Sequence, residues 1–469
     1  MGKFCAVSFC LDGATIADGG AKPRSGAFAP YKPVERLFIN CHRLQCQDAP
    51  RPSFSPTLRL NKAGLPLNSN IGNGPPRHLM VSDCDIIYLD NNATTKVAPE
   101  VIEAMLPWLT ERWGNASAAY AFGRQASAAM QQARLQVASL LNCDADEIVF
   151  TSCATESNNA AFHSALETTG KKHFVVTTVE HSATLNYAKW LEQKGCRVTC
   201  VPVKPDGTLD PREIAVAVTD DTALVSVMWA NNETGVLLPV PEIARICAEK
   251  NVLFHTDAVQ MAGKVPMDLK GVPVNFLSLS MHKNHAPRGV GVLFVRRHTK
   301  FSPLIRGGSQ ERGRRAGTEN VAGIVAAGAA CELAKKRLDD ENVRIRALRD
   351  RLENFILKNI PRTSVNGHRE KRLPNTTNIC FDGVDAGSLL VMLNQKCICV
   401  SGGSACHTGA NEPSHVLTAM GKTNAQAHSS IRISLGFYNT ERDIETMERE
   451  LPPIIEKSRT ANPLAMEVV

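Results

Sequence analysis

From Ile86 onward the chain alternates short apolar, β-branched runs with longer stretches of helical periodicity. Strands are expected at 147–152, 173–179, 223–230, 252–258, 276–280 and 291–296, each bounded by polar residues. Helices are expected between them, for example over Pro99–Leu109, Ala126–Leu141 and Val240–Lys250. Such alternation predicts an α/β fold built on a large, mostly parallel sheet. A long charged run of good helix formers, Leu333–Asn359, marks a hinge into a second, smaller α/β domain. That domain holds two more strands, TTNICF and SIRISL, and a helix. The expected organisation is an arm over 81–96 that joins the small domain, a large domain over 97–340 and a small domain over 341–469. Residues 1–80 show neither period and carry 9 of the 26 prolines, so they read as a disordered or targeting-like extension.

Charge and cysteine usage narrow the partners. The net charge of +7 sits almost wholly in that extension, where 10 Lys and Arg face 4 Asp and Glu; the remainder is nearly neutral, at 43 against 42. A nucleic-acid groove would place basic charge on the folded body, so no nucleic-acid partner is expected. No apolar run is long enough to span a bilayer. Fifteen cysteines without repeated CxxC pairs suit a reducing compartment, read as the cytoplasm, with organellar targeting by residues 1–80 as the variant. Most are expected to be small buried hydrophobes. No ligand quartet has the spacing of a zinc finger or ribbon, so no metal site made by protein side chains alone is expected.

The chemistry-bearing residues gather just after the expected strands. These strand ends hold Cys153-Ala154-Thr155, Glu180-His181-Ser182, Asn231-Asn232-Glu233, Asp257-Ala258-Val259-Gln260 and Ser280-Met281-His282-Lys283. In open parallel sheets, loops at the carboxyl ends of strands converge on the ligand. Ala154-Thr155 opens a helix whose free N–H groups favour a phosphate, with Ser280 and His282 able to reach the same anion. Asp257 closes an apolar run and needs a cationic partner, such as a pyridinium nitrogen. Gln260 offers an uncharged donor to a phenolate, His181 a stacking or proton-shuttling ring, and Lys283 an amine suited to a Schiff base. Taken singly, each has a plainer reading as a cap, turn or core residue. Their order and shared placement favour one site for pyridoxal 5′-phosphate.

From Tyr88 to about Pro453 the sequence resembles the cysteine desulfurases of the NifS type, class V enzymes of the fold-type-I pyridoxal-phosphate group. The resemblance rests on YLDNNATT (88–95), TSCATESN (151–158), MWANNETG (228–235), HTDAVQMAGK (255–264), GGSQERGRRAGTEN (307–320), SGGSACHTGANEPSHVL (401–417) and IRISLG (431–436). It implies Lys283 as the Schiff-base lysine, Asp257 at the pyridine nitrogen, His181 as the stacked acid/base and Gln260 at the phenolic oxygen. It places Ala154, Thr155, Ser280 and His282 at the phosphate, with Thr318 reaching the phosphate of the other subunit of a homodimer. Asn232 would contact cofactor and substrate, Arg432 would hold the substrate carboxylate, and Cys406 would be the nucleophile and a candidate iron–sulfur ligand. The implied reaction converts L-cysteine to L-alanine, leaves a persulfide on Cys406, and supplies an iron–sulfur scaffold protein, for the NifS branch in nitrogen fixation.

The chain departs from this pattern at Met281, where the family has glycine and a side chain has the reach to crowd the cofactor or alter its phosphate contacts. Gly402, Tyr120 and Phe437 also replace common serine, histidine and arginine. Two rival readings use the same residues: a selenocysteine lyase, and a non-catalytic scaffold paralogue.

Overall fold

The computed structural model describes residues 85–402 and 412–460. The expected extension (1–80) and Cys406 lie outside the described residues.

The chain enters on β1 (Ile87–Tyr88) and continues through α1 (Pro99–Met105), α2 (Pro107–Thr110) and α3 (Ala121–Leu141). The first sheet then forms from β2 (Ile148–Thr151), β3 (His173–Thr177), β4 (Arg197–Val201), β5 (Thr222–Ser226), β6 (Leu253–Asp257), β7 (Phe276–Ser280) and β8 (Gly291–Val295). The intervening helices are α4 (Ala154–Thr169), α5 (Ser182–Gln193), α6 (Pro211–Ala217) and α7 (Val240–Glu249). The strand order is β2-β8-β7-β6-β5-β3-β4, with β8 antiparallel to both neighbours and the other pairings parallel. Buried strands of this kind carry near-continuous apolar runs, which is why most were legible from the pattern.

Within this sheet two strands depart furthest from expectation. β4 has no such run: it is the edge strand, mostly exposed or half-buried, so its residues alternate too weakly to announce it. The strand expected over 223–230 ends at Ser226. The chain beyond it still follows β6, with Val227 N–H bonded to His255 O and Trp229 N–H to Asp257 O.

The long helix α8 runs unbroken from Val321 to Asn359, starting twelve residues earlier than its charged portion suggested. Its first third is small and apolar. At Gly328 an added Cβ would lie 2.5 Å from Ala133 Cα of α3, so glycine is what lets the two helices touch. Ile324, Ala327 and Cys331 enter the core under the seven-stranded sheet, while Ile345, Leu352 and Ile356 enter a second core.

That second core is covered by a four-stranded antiparallel sheet, ordered β12-β13-β10-β9. It comprises β9 (Thr363–Val365), β10 (Thr376–Phe381), β12 (Ser401–Gly402) and β13 (Ser430–Ser434), with β11 (Ile398–Cys399) beside it. Helices α9 (Ala386–Asn394) and α12 (Glu441–Thr460) complete that core, while α10 (His415–Ala419) and α11 (Asn424–His428) pack Val416, Leu417 and Ala427 into the first. β1 pairs in parallel with β11, and Asn91 N–H bonds Ser434 O, so the N-terminal arm is laid against this second sheet.

Candidate functional site

The carboxyl ends of β2, β3, β5, β6 and β7 surround a cavity of about 250 Å³. Ala154, Thr155, His181, Asn232, Asp257, Gln260, Ser280, His282 and Lys283 all line it. Nine of the residues singled out from sequence therefore meet in one place.

One wall is a helix start. Thr151 ends β2, Cys153 is the extended residue before α4, and α4 starts without a side-chain cap, its Ala154 and Thr155 lining the cavity together with Ser280 and His282. Gly291 of β8 makes this approach feasible, since a Cβ there would sit 2.6 Å from the Cys153 carbonyl carbon. His282 Nδ1 lies 3.0 Å from Thr94 Oγ1, and Thr95 N–H and Oγ1–H both bond His282 O at 2.9 Å. Burial, with Lys283 and Arg288 nearby, brings the His282 pKa down to about 4, so its ring is neutral.

The opposite wall presents charge. Asp257 accepts from Asn158 Nδ2 at 2.9 Å and from Val259 N–H at 3.0 Å, and it is 7% exposed. Asn158 carried no role in the sequence reading. Its signal was its position, one helical turn after Ala154 on α4, which turns both toward the cavity. His181 caps α5 by accepting from Ala183 N–H at Nδ1, 3.1 Å away. That bond leaves the proton of the neutral ring on Nε2. Burial, with Lys283 and His415 close by, lowers the His181 pKa against the pull of Asp257.

Arg432 lies on β13 just outside this lining. Its Nη2 pairs with Asp90 at 2.6 Å and its Nη1 donates to Asn232 O at 3.0 Å, while Nε is buried without a partner. Two glutamates missed by the sequence reading back the site. Glu180 is fully buried; its Oε1 accepts from Thr177 Oγ1 and Met228 N–H, its Oε2 has no partner, and burial pushes its pKa up to about 8. Glu233 accepts from Ser414 Oγ. Neither was visible as buried because acidic residues beside Asn and His read as solvated loop.

Met281 is 0% exposed, packs in the core under the sheet and does not line the cavity. It leads a tight turn, Met281–Lys283, whose next two residues, His282 and Lys283, line the cavity. Thr318 is exposed and not part of this lining. It follows a turn, Gln310–Gly313, pinned by the buried pair Arg134–Glu311, whose second carboxylate oxygen takes Phe150 N–H. Of the eight cysteines that are free among the described residues, only Cys247, Cys331 and Cys380 are buried, and Cys200 on the edge strand is exposed. The expectation of mostly buried cysteines fails for these eight.

Residues 87–447 match the family model described as aminotransferase class-V. The chain is 51% identical over 381 residues to cysteine desulfurase 2 of Trichormus variabilis, covering 81% of this chain and 96% of that protein. It is 49% identical over 379 residues to the cysteine desulfurase NifS of Azotobacter vinelandii, covering 80% and 94%. Among solved structures, a NifS-like protein from Rickettsia africae superposes with a TM-score of 0.72 at 32% identity, covering 79% of this chain and all of the other. The chain belongs to the aminotransferase class-V family and, within it, to the pyridoxal-phosphate-dependent cysteine desulfurases of the NifS type.

Proposed function

We propose that the cavity takes pyridoxal 5′-phosphate with L-cysteine above it, and that sulfur leaves as a persulfide on Cys406. The observation that carries this reading is the convergence of Lys283, Asp257, His181 and an uncapped helix start on one cavity. The donor set fits the cofactor: a buried carboxylate for a protonated ring nitrogen, N–H and O–H donors for a phosphate, and an amide for a phenolate. When bound, the cofactor supplies an electron sink for the bond-breaking at the substrate α-carbon.

The chain's own residues divide the remaining work. Lys283 anchors the cofactor covalently and, once its amine is free, removes the α-proton. Asp257, fixed by Asn158 and Val259, holds negative charge where the ring nitrogen would lie. His181 covers the ring and presents its Nε2 proton to the substrate. The unpartnered Nε of Arg432 is a donor left for the substrate carboxylate. The Cys406 thiolate attacks the substrate sulfur, and the carbon–sulfur bond breaks with its electron pair left on the carbon side. The β-carbon takes up a proton to become methyl, the α-carbon regains the proton taken by Lys283, L-alanine leaves, and Cys406 keeps the sulfane sulfur. An iron–sulfur scaffold protein is the proposed acceptor, as the NifS name of the Azotobacter relative suggests for nitrogenase.

A homodimer is proposed on two features. Ile102, Leu106, Leu109 and Trp113, on α1, α2 and the residues that join and follow them, are exposed apolar side chains, with Trp113 73% exposed. Thr318 stands exposed after the turn that Arg134 and Glu311 pin, suited to reach a phosphate in the partner subunit.

The decisive experiment is a visible spectrum of the purified protein before and after L-cysteine, with alanine and selenide release compared for cysteine and selenocysteine. A cofactor band that L-cysteine perturbs, with alanine formed, supports the reading. A colourless protein would overturn it, and alanine from selenocysteine alone would make the chain a lyase.

A further inference from the structure

Lys264 is a buried cation to which the proposed chemistry gives no task. It ends the turn after β6, and its Nζ donates to Gln260 Oε1 at 2.7 Å and to Asn92 Oδ1 at 3.1 Å. Gln260 in turn donates from Nε2 to Asn92 O at 3.0 Å. The two ends of a carboxamide have nearly the same shape, so hydrogen bonding alone decides which end points where. Here the choice is forced. Oε1 must meet the lysine, and Nε2 keeps its second N–H for the cavity that Gln260 lines.

We propose that Lys264 is a positioning residue that fixes the amide sense of Gln260, so that an N–H rather than a carbonyl oxygen meets the phenolate oxygen of bound pyridoxal phosphate. The inference rests on the role given to Gln260 above. Asn92 O holds the same sense from the Nε2 end, so the lysine reinforces a single bond; a flipped amide would set a carbonyl oxygen against an anionic oxygen, exchanging an attraction for a repulsion. Burial, with the charges of Lys283 and Arg432 close by, brings the Lys264 pKa down to about 7. A neutral amine keeps two N–H donors for both acceptors but also gains a lone pair that could accept from a flipped amide, so the lock is strongest in the ammonium form. The same knot reaches the substrate side: Asn92 Nδ2 donates to Asn232 O, the carbonyl that Arg432 also uses. On the other side of Lys264 lies a cavity of about 80 Å³, bordered by Asn284, Ala334 and Asn375, with room for a longer side chain.

The test is a double-mutant cycle on the cofactor-loaded protein, reading the pH midpoint at which the visible cofactor band interconverts. Gln260→Ala should move the midpoint by about one unit, the worth of a hydrogen bond to a charged oxygen. Lys264→Met should move it in the same direction by a comparable amount, and the double variant should move it no further than Gln260→Ala alone. Additive shifts would overturn the proposal, because Lys264 would then act through its charge on Lys283 and not through Gln260. An unmoved midpoint in Lys264→Met, with a moved one in Gln260→Ala, would overturn it while sparing the role of Gln260; an unmoved midpoint in Gln260→Ala would remove both. Melting of the cofactor-free variants reports folding. Lys264→Arg, which keeps the donors, is read independently: a wild-type midpoint supports the lock, and a midpoint displaced as far as in Gln260→Ala overturns it.

Discussion

Ser414 Oγ donates a 2.5 Å hydrogen bond to Glu233 Oε2, joining the chain that returns from residues 403–411 to the loop that carries Asn232. Burial pushes the Glu233 pKa up to about 7 against the opposing pull of the Ser414 hydroxyl and the Arg432 charge. One residue on, a His415 ring nitrogen lies 2.9 Å from Glu180 O, next to His181. At the other end, Ser401 of β12 is paired directly with Arg432 of β13. The segment proposed to deliver the thiol is thus tied at both ends to residues of the site.

Ser414→Ala removes one of those ties and leaves Glu233 buried without its donor, a cost of about 1–3 kcal/mol. The visible cofactor band should be unchanged while the rate of alanine formation falls. Hydrogen exchange over 412–419 should quicken. Unchanged rate and exchange together would show that the tie has no part in delivery.

Cys406→Ser should bind cofactor and respond spectrally to L-cysteine, because Lys283, Asp257 and Arg432 are untouched. It should form neither alanine nor persulfide, since a hydroxyl at neutral pH is a poor nucleophile toward sulfur. Mass spectrometry of the protein after L-cysteine checks this directly, and alanine at the wild-type rate would remove the assignment.

Met281→Gly tests whether this side chain is packing or an obstruction. Removing a fully buried side chain from the core should destabilise the protein by about 2–5 kcal/mol. The cofactor band and the KM for cysteine should stay near wild type, as the side chain does not line the cavity. Tighter cofactor binding in the variant would mean that methionine does crowd the site.

Glu180→Gln should stabilise the protein, and only on the alkaline side. The Glu180 pKa is raised from its ordinary 4.5 to about 8, so the folded state holds a proton that the unfolded chain releases. Its contribution is full below pH 4.5 and is lost as the pH rises toward 8. The neutral amide escapes that loss. Denaturant midpoints of variant and wild type should therefore lie close at pH 5 and diverge by pH 8 and above, with the variant higher; a constant gap would show that Glu180 is ionised throughout.

Much of this was legible because the residues obey local rules. Asp257, Lys283 and Asn232 end or follow apolar β runs, and the apolar runs of β2, β6 and β7 announce buried strands. What stayed hidden depends on partners distant in sequence. Asn158 matters only because Asp257 lies 99 residues away, and Ser414 because Glu233 lies 181 away. Met281 misled for a related reason: the pattern identified the position as close to the phosphate, but the turn after β7 decides which way its side chain points.

The continuity of α8 has a mechanical consequence. Thirty-nine residues of unbroken helix make a rod of about 58 Å, seated in one core by Ile324 and Cys331 and in the other by Leu352 and Ile356. A rod embedded at both ends transmits torque, so the two sheets cannot swing apart without bending it or stripping apolar residues from a core. Large excursions during sulfur delivery are thereby left to segments attached to the frame, and the frame itself can keep the spacing between Lys283 and Arg432 constant through the cycle.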